Sequence, residues 1–341
     1  MTISLESIPG FTASEALAAA DREFGVVGRI SPLPSERDQN FLITDADGKK
    51  FVLKIANLHD TPELLDFQNQ AMRHVENEVA DCCRVQRALL SQQGRDLEII
   101  HRAGAGTHHC LRLLTWIEGE VLATCNSRGP ILFESIGANM AKIDAALWGF
   151  AHPAMRRVLQ WDLRHAGMAR THAALLPRAG RGRVERLFLQ WEGIDWASLR
   201  YSVVHGDAND HNVIVDAGRM VGLLDFGDMV YTATICDLAI ALAYAMQGEK
   251  EPLAVAAQII RAYQRCYPLT EAEQQALFPL ILSRLCMSVC YAAHNRERNP
   301  DDPYQVVSEA AAWDLLGSLE LWPAPDALAV IRAACAVPAA A

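Results

Sequence analysis

The chain has 341 residues, 51% of them hydrophobic, and its 41 Asp and Glu outnumber 31 Lys and Arg to give a formal net charge of −10. That length is more comfortable as two lobes than as one compact unit, and the composition excludes a disordered chain. A balance this acidic argues against a general nucleic-acid binder, which needs a basic surface for phosphates.

In chain order, Thr12-Ala-Ser-Glu15 ahead of an Ala/Leu-rich run has the form of a capping box and predicts a helix over about residues 13–23. NFLIT and KKFVLKI flank Asp45-Ala-Asp47-Gly48, the turn chemistry of a β-hairpin. ELLDFQNQAMRHVENEVADCC places Leu64, Leu65, Met72, Val75 and Val79 at helical spacing. Two further strands are expected at 97–101 and 108–116, around the Gly-rich residues 104–106. Residues 1–114 thus read as a helix-bearing antiparallel sheet, 115–119 as a hinge, and 120–335 as a mainly helical lobe. ESIGANMAKIDAALWGF, ATICDLAIALAYAM, LAVAAQIIRAYQRCY and ALFPLILSRLCMSVCYAAHNRE supply that lobe's long helical patterns, and 336–341 reads as a tail.

Between those helical patterns lies VVHGDANDHNVIVDAGRMVGLLDFGD, residues 203–228, with five aspartates among short Val/Ile/Leu runs. Asp216-Ala-Gly218-Arg joins two of these runs as a hairpin, which folds residue 212 back opposite roughly 224. Asn212 and Asp225 then meet at the open end of the hairpin, with Asp207 a few positions upstream. An amide oxygen and a carboxylate without Cys or His make a hard-oxygen site suited to Mg²⁺. Asp–x4–Asn followed thirteen positions later by Asp-Phe-Gly has the order and spacing of phosphoryl-transfer catalysts. On that pattern Asp207 takes the proton of an acceptor hydroxyl, while Asn212 and Asp225 hold the metal. Asp, Asn and Gly are also ordinary turn formers, so each residue alone is weak and only the set is specific. His205 is expected to order the loop rather than titrate in the reaction, and His211 reads as a solvated loop residue.

Lys54 stands mid-strand in the apolar FVLKI, where a charge wants a partner, and fits the cation that grips nucleotide phosphates. Glu63, Asp66, Glu76 and Glu78 on the following helix are candidate partners, and an edge-strand lysine facing solvent is the plain alternative. The loop 33–39 has no GxGxxG pattern, so backbone amides and Ser35 would have to meet the phosphates. His108-His109-Cys110 lies in an expected strand and is a poor ligand set.

HGDANDHN followed by LLDFGD, with Lys54 and SERDQNF, resembles the aminoglycoside phosphotransferase and choline kinase superfamily, over roughly residues 30–60 and 110–318. LLDFGDMVYTATICDLAIALAYAM, the LTWIEG hinge, Gln160-Trp-Asp-Leu163 and SRLCMSVCYAA look most like its hydroxylysine kinase branch. The resemblance implies an α+β, two-lobed, protein-kinase-like fold that transfers the γ-phosphate of ATP or GTP, with Mg²⁺, to a hydroxyl of a small amine-bearing alcohol. It also implies nucleotide contacts at Thr115 and Ile117 of the hinge. Two departures stand out: Gln68 falls where relatives place a helix glutamate that pairs with the strand lysine, and Asp144 stands where relatives often have histidine.

A hydroxylysine-like acceptor carries two amines and a carboxylate, for which Asp228 and Asp162 are candidate amine contacts and Arg284 a candidate carboxylate contact. For Arg284, pairing with a neighbouring acid in a helical bundle is an equal alternative, and Asp228 could cap the next helix. Homoserine, choline and aminoglycosides are alternative acceptors, and a non-catalytic nucleotide-binding module or a metal-dependent phosphoesterase are more remote readings. No GxSxG elbow supports acyl transfer. Nine cysteines with no CxxC pair are expected to be reduced, buried thiols. The N-terminus lacks a basic region ahead of an apolar one, and the apolar stretch 277–293 is short and broken by Arg284. The expectation is a cytoplasmic protein with neither a membrane nor a nucleic-acid partner.

Overall fold

The computed structural model describes residues 9–35, 37–102, 106–298 and 308–336. They group into two compact units, one of Met1–Arg73 and Val85–Glu118 and the other of His74–Arg84 and Gly119–Ala341. The tail anticipated from 336 lies outside the described residues from 337 on.

In the first unit, α1 (Ala13–Phe24) starts at the anticipated box: Glu15 N–H donates to Thr12 Oγ1 at 3.2 Å, and Thr12 N–H to Glu15 Oε2 at 2.7 Å. It is followed by β1 (Arg29–Leu33), β2 (Gln39–Thr44), β3 (Lys50–Ile55) and α2 (Pro62–Val79). Past α2 come the two-residue β4 (Arg84–Val85), β5 (Glu98–His101) and β6 (His108–Thr115). An antiparallel sheet runs in the order β1-β2-β3-β6-β5. Alternation along the strands turns Phe41, Ile43, Leu53, Ile55, Leu111 and Leu113 to one face, where they pack with Ala16 and Ala20 of α1. Each such side chain, fully buried, contributes about 1.5–3 kcal/mol. β1 gave no sequence signal because it is an edge strand carrying Pro32 and is largely exposed.

The second unit begins with β7 (Glu120–Val121) and α3 (Pro130–Leu147), then α4 (Gly167–Arg170) and α5 (Arg178–Glu192). β8 (Tyr201–Val204), β9 (Val213–Asp216), β10 (Arg219–Leu223) and β11 (Val230–Ala233) follow. The chain continues in α6 (Ile235–Ala245), α7 (Pro252–Cys266), α8 (Glu271–Arg298), α9 (Glu309–Leu319) and α10 (Ala324–Cys335). β9 and β10 form the expected hairpin, turning through Ala217 and Gly218 at φ 47° and 71°, as a two-residue primed turn requires. Leu224 N–H donates to Asn212 O at 2.8 Å, so residue 212 does meet 224. β8 pairs antiparallel with β11, Val204 opposite Val230.

α8 is long and apolar enough to cross a bilayer, yet 94% of its apolar window is buried inside the fold. It packs against α5, α6, α9 and α10, the position of a core helix. Its start lies upstream of the apolar run because Thr270 and Glu273 form a second capping box, Glu273 N–H to Thr270 Oγ1 and Thr270 N–H to Glu273 Oε2.

Candidate active site

The strand pairing β8/β11 sets the stretch that leaves β8, His205 to Asp207, beside Asp228 and Met229 ahead of β11. Gly206 takes φ 81°, a conformation natural to glycine, and lies so close to Asp228 that a Cβ there would stand 2.5 Å from its carbonyl oxygen. His205 is fully buried. Its Nδ1 accepts from the Asp207 N–H at 3.2 Å and its Nε2 pairs with Leu224 O at 2.9 Å, a pattern met by a ring with its proton on Nε2. Phe226 meets that ring edge to face at 4.8 Å. His205 therefore ties the Asp207 loop to the end of the hairpin.

Asp237, in the first turn of α6, holds the same loop from beneath. Its Oδ2 accepts from His205 N–H at 3.0 Å and its Oδ1 from Gly206 N–H at 2.8 Å. Sequence reasoning missed this residue. The signal was a single charged residue inside ATICDLAIALAYAM, because a buried carboxylate must find donors.

The Asp207 carboxylate is the meeting point of three side chains. Oδ2 accepts from Asn209 Nδ2 and from Asn212 Nδ2, both at 2.9 Å, and Oδ1 from Arg284 Nη2 at 2.8 Å. Burial pushes its pKa up to about 7, with Asp228 and Asp225 adding to the rise and Arg284 and Asn209 opposing it. A carboxyl poised there suits proton transfer near neutrality. Arg284 itself is almost wholly buried, with Trp161 4.5 Å and Tyr244 5.4 Å from its guanidinium carbon. Arg284 thus pairs with an acid, though with Asp207 of the loop after β8 and not with a neighbour inside a helical bundle.

Asn212 directs its Nδ2 to Asp207 O as well as Oδ2, which points its amide oxygen away as a hard donor. Asp225 sits at φ 56°, outside the usual region for a non-glycine residue, and its Oδ1 accepts from Gly227 N–H at 3.1 Å. An amide and a carboxylate oxygen fit a cation that completes its shell with phosphate oxygens, as Mg²⁺ does. Among the described residues, no cluster of three or more His, Cys, Asp and Glu side chains could hold a metal. His109 of the HHC run engages Ala56 O at 2.9 Å and Thr107 Oγ1 at 3.2 Å.

Asp162 is buried, and its Oδ1 accepts from Thr232 Oγ1 and Arg164 N–H. Burial raises its pKa, against those hydrogen bonds. Asp162 and Asp228 both line a water-sized cavity of about 10 Å³, together with Trp161, Gly206 and Cys236.

The remaining candidates lie in the first unit. Lys54 is on the central strand β3, 7% exposed, so the edge-strand alternative does not hold. Its Nζ is 3.9 Å from Asp38 Oδ2, an ion pair outside the helix candidates because Asp38 lies in the loop before β2. Asp38 is itself fixed by Asn57, whose N–H and Nδ2 both donate to its Oδ1 at 3.1 Å. Gln68 Oε1 accepts from Arg112 Nη2 at 2.9 Å, with Asn69 Oδ1 on Nη1 at 3.0 Å. Ser35 is half-buried in the loop after β1, of which residue 36 is outside the described residues. Thr115 shares hydrogen bonds with residues 86 and 87 through its N–H, C=O and hydroxyl, and Ile117 is buried.

Comparison with known proteins agrees with this geometry. The model of the phosphotransferase enzyme family matches residues 29–274. Hydroxylysine kinase of Mus musculus is 31% identical over 342 residues, covering 91% of this chain and 90% of that protein, and the Bos taurus protein is 31% identical over 339 residues, covering 89% and 88%. In fold, the chain is similar to a microcompartment-associated aminopropanol kinase, with a TM-score of 0.72 at 14% identity over 92% of this chain and 98% of that one. An amicoumacin kinase aligns with a TM-score of 0.68 at 15% identity, covering 90% and 94%. The α+β kinase-like fold expected from the motifs is the fold found.

Proposed function

The chain belongs to the phosphotransferase enzyme family, as a small-molecule kinase that acts on hydroxyl groups with a nucleotide as phosphoryl donor, and from that premise we propose that its acceptor is a hydroxy-amino acid of the hydroxylysine type. One observation carries this reading: a buried arginine, Arg284, meets the carboxylate of Asp207 inside an aromatic surround. An arginine kept dry beside the acceptor site suits a substrate carboxylate, which it can bind in bidentate fashion. Choline and aminoglycosides carry no such group.

On this reading Asp207 orients the acceptor hydroxyl and takes its proton while the γ-phosphoryl group moves in line from ATP or GTP, without a covalent enzyme intermediate. Substrate carboxylate draws Arg284 away from Asp207, which leaves the base to the hydroxyl. Asp228 and Asp162, buried acids beside Gly206, meet the amines. Asn212 and Asp225 hold Mg²⁺, whose contribution is to neutralise the charge of the phosphates. Lys54, fixed by Asp38, grips the α- and β-phosphates, with backbone at Thr115 and Ile117 for the base and Ser35 near the phosphate tail.

The test is an acceptor panel of hydroxylysine, homoserine, choline and an aminoglycoside, read by release of ADP or GDP. Turnover concentrated on the amino acids supports the proposal. Turnover of choline at an equal kcat/KM refutes the role given to Arg284, and Asp207→Asn retaining wild-type kcat refutes the base.

A further inference from the structure

Arg157 lies in the irregular stretch between α3 and α4 and is none of the residues assigned to the reaction. Its guanidinium reaches the loop after β10: Nε donates to Met229 O at 2.9 Å and Nη2 to Gly227 O at 2.5 Å. These two donors sit on one edge of a planar, permanently charged fork, so a single side chain fixes two carbonyls at once. The carbonyl between them, that of Asp228, lies against Gly206. Residues 227–229 are thus held both by Arg157 and by the stretch that leaves β8.

The loop needs such a hold. Asp225 carries φ 56°, and a non-glycine residue keeps such a backbone only where its surroundings over-determine it. Upstream, Leu224 N–H donates to Asn212 O at 2.8 Å, and Leu224 O pairs with His205 Nε2 at 2.9 Å. Downstream, the Asp225 carboxylate accepts from Gly227 N–H at 3.1 Å, and Arg157 holds the carbonyl of that same residue. Arg157 is itself placed by its neighbours. The Arg156 guanidinium carbon stands 4.3 Å from the centre of the Tyr231 ring, and Asp162 Oδ1 accepts from Thr232 Oγ1 at 2.9 Å. Residues 156–162 therefore run along 227–232.

We propose that Arg157 is a positioning residue: by clamping the carbonyls of Gly227 and Met229 it sets Asp225, the metal-holding carboxylate, and Asp228, which lines the acceptor recess, in one arrangement. Arg157 touches neither metal nor acceptor; it acts through the backbone that carries both acids. The proposal rests on the reading of Asp225 as a metal ligand, a premise that a separate variant checks by itself.

Mn²⁺ titrations followed by electron paramagnetic resonance, with the β,γ-imido analogue of ATP or GTP present, read the site without turnover. Arg157→Ala is expected to weaken Mn²⁺ binding about tenfold, the scale of losing a group that orients a metal ligand. Arg157→Lys, which brings one ammonium to two carbonyls, should fall between Arg157→Ala and wild type. Arg156→Ala, on the same stretch but against Tyr231, should stay within about twofold of wild type. Residue-resolved amide exchange should show Gly227 losing protection in Arg157→Ala and keeping it in Arg156→Ala. The proposal is overturned if Arg157→Ala binds Mn²⁺ as tightly as wild type, or if Arg156→Ala weakens it equally, which is what a merely structural stretch would give. Should Arg157→Ala fail to fold, Arg157→Lys decides: wild-type Mn²⁺ affinity, or failure to fold as well, overturns the proposal. Asp225→Asn separates the two failures. If it leaves Mn²⁺ binding intact, the metal assignment falls and the clamp with it; if it abolishes binding while Arg157→Ala does not weaken it, the clamp alone falls.

Discussion

Gly206→Ala tests the closeness of the two strand ends at the candidate site. An alanine held at φ 81° costs about 1 kcal/mol in backbone strain alone. Its Cβ would also stand 2.5 Å from the Asp228 carbonyl oxygen, a backbone atom that cannot swing aside. Relief requires about 1 Å of movement, which stretches the Gly206 N–H bond to Asp237, now 2.8 Å; a bond to a charged acceptor is worth about 1.5–3 kcal/mol. The sum is about 2.5–4 kcal/mol, and at 2–4 °C per kcal/mol for a unit of this size the melting temperature should fall by roughly 5–16 °C. Catalysis should suffer further, since a misplacement of about 1 Å can cost on the order of 100-fold in kcat. Gly48→Ala is the control: φ is 82°, but nothing lies within 4 Å of the added Cβ, so only the strain of about 1 kcal/mol applies. Differential scanning calorimetry with steady-state kinetics on the two variants decides the matter. Equal melting shifts, or an unchanged kcat in Gly206→Ala, would refute the packing argument.

Arg284→Met should lower stability by on the order of 3 kcal/mol in urea unfolding, because it removes one partner of a mostly buried pair, and should raise KM for carboxylate-bearing acceptors more than for choline. Asp207, pushed up to about 7 from an ordinary value near 4, holds a proton in the native chain that the unfolded chain has released across that window. Its contribution to stability therefore declines as pH rises from about 4 to about 7; melts of metal-free protein should show the slope, and Asp207→Asn should flatten it. Chelation with EDTA should abolish turnover and leave the far-UV circular dichroism unchanged, with Mg²⁺ restoring activity through Asn212 and Asp225. Asp38→Ala should raise nucleotide KM about tenfold with a smaller effect on kcat, read by initial rates, because Asp38 orders Lys54.

Local rules made the parts with strong periodicity legible. The capping box at Thr12, the alternating strands β2 and β3, and the 217–218 turn were all readable because a few neighbouring residues determine them. The turn then implied that Asn212 meets residue 224, which is the part of the site local chemistry controls. What escaped was set by contacts far apart in sequence. Asp237 lies 30 positions beyond Asp207 and declares its role only through two backbone amides. Asp38 meets Lys54 from the loop before β2, where no local pattern marks a lysine partner. The segment 150–176 breaks into short turns of helix, so no period long enough to register arises there. The start of α8 is different: Thr270-Glu-Ala-Glu273 is a local capping signal, set six residues ahead of the apolar run that begins at Ala276.

Arg284 rides on α8, a helix whose apolar window is 94% buried, whereas Trp161 stacks on it from an irregular segment with few regular backbone bonds. If Arg284 meets the acceptor carboxylate as proposed, acceptor choice and folding are written into one element. Drift at position 284 or its helical neighbours disturbs the interior, so a descendant seeking a new alcohol would find fewer viable steps there. Trp161 itself is only half-buried, so directed evolution toward uncharged acceptors should begin at that position rather than on α8.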